Sequence, residues 1–168
     1  MSEPSADWAI HLLRVWFSEL EPADWFGAND TVDALLRDQF EGVLGAMADR
    51  PVAALLTDPV TAQAAILLFD QIPRNIYRDS PRAFAFDAKA VELAKVAIAK
   101  GWDEDLPDGQ RQFVAMPLMH SENLADQEAS LAYFGAHLPD NLSFARSHHE
   151  MIERFGRFPH RNAVLGRE

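Results

Sequence analysis

Apolar residues recur along this chain at intervals of three and four, with no sustained alternation in steps of two. That spacing predicts helices throughout. Between about Ser5 and Leu20, Ile10, Leu13, Trp16, Phe17 and Leu20 make one apolar stripe. Asp30 reads as the N-cap of the next helix, with Asp33 as an acidic partner in its first turn. Val32, Leu35, Leu36, Phe40, Val43, Leu44 and Met47 then repeat at the spacing of a buried face. After a short piece at Val52–Leu56, Asp58-Pro59 combines a cap with proline at the first helical position.

The stretch from Pro59 to about Gln71 is apolar on most sides, which marks it as the central helix. Pro73 is expected to stop it, because the proline ring pushes Ile72 away from helical geometry. Ser80-Pro81 repeats the cap-plus-proline signal and predicts a helix running to Gly101, with seven alanines that would let neighbours approach closely. Further helices are expected over Asp108–Met119, Ser121–Ala136 and Asn141–Phe155, the last ended by Gly156. Short connections make consecutive helices antiparallel hairpins. The predicted fold is a single all-α domain over residues 1–168.

Composition narrows the function classes. The 168 residues carry 15 Lys+Arg against 26 Asp+Glu, a formal charge of −11. An envelope that negative repels phosphate backbones and anionic lipid, so neither nucleic acid nor membrane is an expected partner. There are no cysteines, which removes disulfides, thiolate metal sites and a cysteine nucleophile. The first seven residues are acidic where a signal peptide would be basic, and the longest apolar run, Ala64–Phe69, cannot span a bilayer. A soluble cytoplasmic protein is the expectation.

Three polar stretches depart from ordinary helix surface. In the first, Asp70-Gln71-Ile72-Pro73-Arg74-Asn75-Ile76-Tyr77-Arg78, an aspartate ends a buried helix beside the negative pole of its dipole. That placement costs about 0.3–1 kcal/mol, so Arg74 or Arg78 is expected to compensate. Either the pair merely locks the turn, or Asp70 orients an arginine toward a ligand. In the second, Met119 to Gln127, Ser121 reads as an N-cap, and Glu122 and Asp126 share a helix face and want a cation. Gln127 falls in line with Leu124, Leu131 and Phe134 and should be a buried, hydrogen-bonded amide. The third, from His148 to Arg167, sets five arginines against two glutamates between residues 146 and 167, a positive island in an acidic protein. His148 lies on the stripe of Phe144, Met151, Ile152 and Phe155, where a satisfied core histidine is the plain reading. Arginine outnumbers lysine twelve to three, which suits planar recognition of carboxylate or phosphate.

Asp70-Gln71-Ile72-Pro73-Arg74-Asn75, His120-Ser121-Glu122 and Phe155-Gly156-Arg157-Phe158-Pro159-His160-Arg161-Asn162 together resemble the signature strings of domain-of-unknown-function family 924, a mainly bacterial family. Trp16-Phe17, Trp25-Phe26, Phe84 with Asp87, Gln127 and Leu165-Gly166-Arg167 extend the likeness over nearly the whole chain. The resemblance implies antiparallel helical hairpins in a tetratricopeptide-like, right-handed helical array. Relatives of this type typically continue into a further acidic helical tail beyond the position of Glu168. The family supplies no activity, so roles rest on side-chain chemistry.

On that basis His120, Glu122 and His160 are candidates for proton transfer. Arg74, Arg157 and Arg161 are candidates for holding a small carboxylate or phosphate, and Asp70, Gln71, Asn75, Arg78, Gln127, His148 and Asn162 complete the candidate ligand-binding set. A peptide-binding groove between stacked hairpins is the alternative. A zinc or iron site from His120, Glu122 and His160 or His148 would lack any local motif such as His-Glu-x-x-His, so no metal is assigned. No motif points to a particular cofactor. Both leading readings require the three stretches to meet in space.

Overall fold

The computed structural model describes residues 7–168, and among these every regular element is helical. The expected helix start at Ser5 and most of the acidic leader lie outside the described residues. Helix α1 (Asp7–Arg14) continues into a π turn, Val15–Glu19, closed by the Leu20 N–H donating to the Val15 carbonyl at 2.9 Å. Its buried face is Trp8, Ala9, Leu12, Val15, Trp16 and Leu20. Of the expected stripe, Trp16 and Leu20 are buried, Leu13 and Phe17 are half-buried against the core, and Ile10 lies off that face. Ile10 is 57% exposed as a result. The small Ala9 sits on the face that α1 presents to the core, and α1 packs on the central helix.

A short turn, α2 (Pro22–Trp25), leads to α3 (Asp30–Ala48). Asn29, not Asp30, caps α3: its side-chain oxygen accepts from the Thr31 and Val32 amides at 2.9 and 3.2 Å. The far end of α3 is capped from outside, where the Lys89 ammonium donates to the Ala48 carbonyl at 2.8 Å and also to that of Arg50. A cation at that pole complements the helix dipole.

Helix α4 (Pro59–Asp70) is central, as its composition predicts. Eight of its twelve residues are buried, from Ala62 to Asp70, and it packs against α1, α3 and two later helices. Burial of a side chain such as Phe69 contributes about 1.5–3 kcal/mol. Pro73 does not expel Ile72 from helical geometry. The chain kinks at Gln71 and restarts at once as α5 (Ile72–Ile76), with Pro73 in the first turn, where a missing N–H costs nothing. Ser80 likewise caps only a single 3-10 turn, Pro81–Phe84, and α6 (Asp87–Ala99) begins afresh. That interruption delivers Asp87 and Phe84 to the site described below. Gly101, at φ +73°, then closes α6 with the Trp102 amide donating to the Ala97 carbonyl at 3.0 Å.

Helix α7 (Asp108–His120) contains Pro117, and α8 (Leu124–His137) and α9 (Leu142–Phe155) follow it. α6 packs on α4, and then α6 with α7, α7 with α8 and α8 with α9. The three-residue link before α8 and the four-residue link before α9 force the chain to reverse at each step. Gly156, at φ +70°, ends α9 as expected. Beyond it a 3-10 turn, Pro159–Arg161, and α10 (Asn162–Leu165) bring the chain back over the end of α7 and the link that follows it. Periodicity alone predicts nothing in that last segment.

One buried network ties the second half together. Asp103, in the loop before α7, accepts from the Tyr133 hydroxyl at 2.6 Å and from Arg111 at 3.1 Å, and Arg111 also donates to the Tyr133 oxygen at 2.8 Å. Burial and the Asp103 carboxylate push the Tyr133 hydroxyl well above its usual pKa. Among the described residues no helix is long and apolar enough to cross a membrane.

Candidate functional site

Asp70 occupies the last position of α4 with 1% of its surface exposed. An ionised carboxylate there needs several donors, and it has them. The His120 Nδ1–H reaches its two oxygens at 2.9 and 3.1 Å, Gln71 Nε2 donates at 2.8 Å, and Arg74 approaches at 3.4 Å. Burial by itself would raise the Asp70 pKa. The His120 and Arg74 charges and the hydrogen bonds outweigh it and hold the carboxyl below the ordinary aspartate value. A carboxylate only accepts, so this contact assigns the proton to His120 Nδ1 and leaves Nε2 without a partner among the described residues.

Arg74 is the hinge between Asp70 and α6. Its NH1 donates to the Asp70 carbonyl at 2.7 Å, and both its terminal nitrogens grip Asp87 at 2.7 and 2.9 Å in a bidentate pair. Arg161 arrives from the C-terminal turn onto the same carboxylate, at 3.6 Å. Arg161 is only 6% exposed. Its NH2 donates to the His120 carbonyl at 3.0 Å, and its guanidinium lies 4.5 and 4.6 Å from the Phe84 and Phe158 ring centroids. Its Nε is buried with no partner. Burial and the neighbouring Arg74 charge push the Arg161 pKa down despite Asp87, Glu122 and Asp70. Arg161 NH1, 3.6 Å from the Asp87 carboxylate, makes no hydrogen bond among the described residues.

The turn that carries His120 is clamped from two sides. Gln127, wholly buried, donates to the carbonyls of Met119 and Ser121 at 2.8 and 2.6 Å, the role its spacing predicts. Glu122 accepts from the Phe158 amide at 2.6 Å and from both terminal nitrogens of Arg167 at 2.8 and 3.1 Å. Burial would raise the Glu122 pKa, but Arg167, the Phe158 amide and Arg161 prevail and keep it below the ordinary value. Glu122 is thus an ordered anion, with its oxygens already committed.

Several expectations need correction. Glu122 and Asp126 do not share a helix face, because Ser121–Asn123 is not helical and Asn123 caps α8. Ser121 instead donates to Asp126 at 2.7 Å, and Asp126 pairs with Lys95 at 2.7 Å. Arg78 does not reach Asp70. It bridges to Asp33 on α3 at 2.6 Å and donates to the Asn75 side chain at 3.1 Å. Arg157 stays apart from the cluster and touches the Glu168 carbonyl at 3.2 Å. His160 is exposed, its ring 5.6 Å from that of Phe158. Asn162 is half-buried in α10, its Oδ1 without a partner. His148 is half-buried, with Nδ1 donating to the Phe144 carbonyl at 2.7 Å and its ring 6.2 Å from that of His120. Asp87, Phe84 and Arg167 complete the cluster without any signal in local periodicity.

Three cavities meet at His120. The largest, about 430 Å³, has Phe84, Ala88, Val91 and Leu165 as apolar wall and Arg161, Asp87, Glu122 and Asp126 as charged wall. Each of the three carboxylates is paired with a cation outside the cavity lining: Arg74, Arg167 and Lys95 respectively. A second, about 170 Å³, is bounded by Gln71, Arg74, Asn75 and Arg78 together with Trp25 and Gly27. The third, about 330 Å³, lies between Phe26, Met119 and Phe144. Among the described residues no three His, Asp or Glu side chains converge in metal-binding geometry.

This chain belongs to the family described as "Bacterial protein of unknown function (DUF924)", whose family model matches residues 12–168. A solved structure of a protein of unknown function from Agrobacterium tumefaciens superposes with a TM-score of 0.91 at 32% sequence identity, covering 97% of this chain and 92% of that one. A comparison with curated proteins gives no significant match.

Proposed function

We propose that the 430 Å³ cleft binds a small anionic molecule with an apolar body, and that His120 accepts a proton there. The observation that carries this reading is Arg161: a guanidinium on the cleft wall whose NH1 makes no hydrogen bond among the described residues and stands 3.6 Å from the Asp87 carboxylate. A carboxylate or phosphate at that point would supply the missing acceptor. Phe84, Val91 and Leu165 would cover the rest of the ligand. The Asp70-oriented imidazole has the form of a general base, with one nitrogen fixed by a buried carboxylate and the other available. A cleft of this size favours a metabolite over the extended peptide that a tetratricopeptide-like groove would hold. The acidic, cysteine-free composition suits a cytoplasmic setting for such a protein.

Thermal-shift titration against a panel of small carboxylates and phosphate esters tests the proposal. A binder present at a hundredfold excess over its Kd stabilises the native state by about 2.7 kcal/mol. Arg161→Lys should remove that shift while leaving the circular-dichroism spectrum helical. A panel with no stabilising member, or a shift that survives Arg161→Lys, would overturn it.

A further inference from the structure

We propose a second small-molecule site, in the 330 Å³ cavity between the loop after α2 and helices α7 and α9, that takes a neutral, flat aromatic molecule carrying an N–H or O–H group. Two large apolar side chains stand open beside it: Phe26 is 64% exposed and Phe144 62%. Single exposed aromatics are ordinary on a protein surface, but here two from distant parts of the chain line one cavity. Phe26 is held in place. Its ring lies nearly parallel to Phe113, 5.8 Å between centroids and 13° between planes, and edge-on to Trp25 at 6.3 Å. Met116 and Met119, three apart on α7, add two thioethers that adapt to an aromatic face.

The polar groups define the rest of the ligand. No Asp, Glu, Lys or Arg lines this cavity, in a chain of formal charge −11. The only ionisable groups on its wall are the imidazoles of His120 and His148, whose Nδ1 atoms are already spent on Asp70 and on the Phe144 carbonyl. A charged ligand would be desolvated there without a strong counter-charge, so a neutral one is selected. At one end the Asn141 amide donates to Gln112 at 2.9 Å. At the other stands His148, whose Nδ1–H is spent on the Phe144 carbonyl. Burial, with the His120, His160 and Arg161 charges, keeps His148 below the usual histidine pKa, against the Phe144 hydrogen bond. Its Nε2 is therefore an acceptor at neutral pH, and the matching ligand group is a donor. One or two fused rings fit the volume and allow offset contact with Phe26 and Phe144. The site does not depend on the anion reading, since His120 is the residue the two cavities have in common.

Calorimetric titration of the full chain with 2-naphthol is the test, with 2-naphthoate as the charged analogue. The expected result is saturable one-to-one binding of 2-naphthol, at least tenfold weaker binding of 2-naphthoate, and loss of 2-naphthol binding in Phe144→Ser or Phe26→Ser. Both side chains are exposed, and retained helical circular dichroism confirms that either variant folds. Arg161→Lys should bind 2-naphthol unchanged, which separates this site from the anion cleft. No saturable heat in the wild type, equal binding of 2-naphthoate, or undiminished binding in both serine variants would overturn the proposal. So would a concentration-dependent dimer abolished by Phe144→Ser, which would make a second copy of the chain the occupant.

Discussion

Two buried polar networks in this molecule are built from the same parts, a carboxylate, an arginine and a ring-bearing donor, yet they end differently. In the Asp103–Arg111–Tyr133 triad each group donates to or accepts from the other two, and none of the three cavities touches it. The cluster around Asp70 satisfies Asp70 and holds Arg74 by both terminal nitrogens, but leaves His120 Nε2 and Arg161 NH1 without hydrogen bonds among the described residues. His120 lines all three cavities and Arg161 the largest. A closed network of this kind holds helices in register. One that keeps an unpaired donor and an open ring nitrogen on cavity walls leaves positions that water or a ligand can fill.

Substitutions test that contrast in descending order of effect. Asp70→Ala removes the buried carboxylate that half-buried Arg74 and His120 share and should cost about 3–5 kcal/mol in urea unfolding. A loss below about 1 kcal/mol would mean the cluster is wetter and weaker than its geometry indicates. Tyr133→Phe removes the hydroxyl shared by Asp103 and Arg111, for an expected loss of about 1–3 kcal/mol. It should leave any ligand-induced thermal shift untouched, and a changed shift would mean the two networks are coupled.

The two networks should also fail at opposite ends of the pH scale. Asp70 has a depressed pKa in the folded state, so its stabilisation is present above about 3.8 and is lost as pH falls below that. His148 is depressed as well, and its contribution fades earlier, as pH drops below 6.5 toward its folded value. Tyr133 is raised, so its contribution is intact below pH 10 and disappears as pH climbs beyond it. Melting temperature against pH should therefore show an acid decline that is flattened in Asp70→Asn and His148→Gln. Its alkaline decline should be flattened in Tyr133→Phe instead. If all three variants follow the wild-type curve in parallel, the assignment of these limbs is wrong. The smallest effect belongs to Arg157→Ala, where loss of one exposed contact should stay within about 0.5 kcal/mol by the same unfolding assay.

Legibility in the sequence followed the range of the interaction. α3 declares itself because Val32, Leu36, Phe40, Leu44 and Met47 recur every three or four residues, α4 because it is apolar on nearly every side, and Gln127 because it falls in line with Leu131 and Phe134 on α8. Asp70 at the end of a buried helix announces its need for partners but not who they are. Its histidine lies fifty positions away and the second carboxylate that Arg74 requires lies thirteen away, distances over which no periodicity operates. Cap assignments slipped where two polar neighbours could each serve, as at Asn29 and Asp30, because the direction of the incoming chain decides between them. The restart at Asp87 was hidden for a related reason. Ser80-Pro81 starts a 3-10 turn as readily as an α-helix, and the cation–π contacts of Phe84 with Arg74 and Arg161 come only with the tertiary structure.

Pro117 carries a consequence for how this imidazole is aimed. Lacking an amide hydrogen, it cannot bond to the carbonyl of Phe113, so the final turn of α7 is uncoupled at one rung from the rod behind it. The orientation of His120 is then dictated by neighbours reaching in from elsewhere: Gln127 from one helix, Arg161 from the returning tail, Asp70 from the centre. A side chain mounted on such a loosened tip can be re-aimed by altering any one of its three moorings, with no change to the helix that bears it.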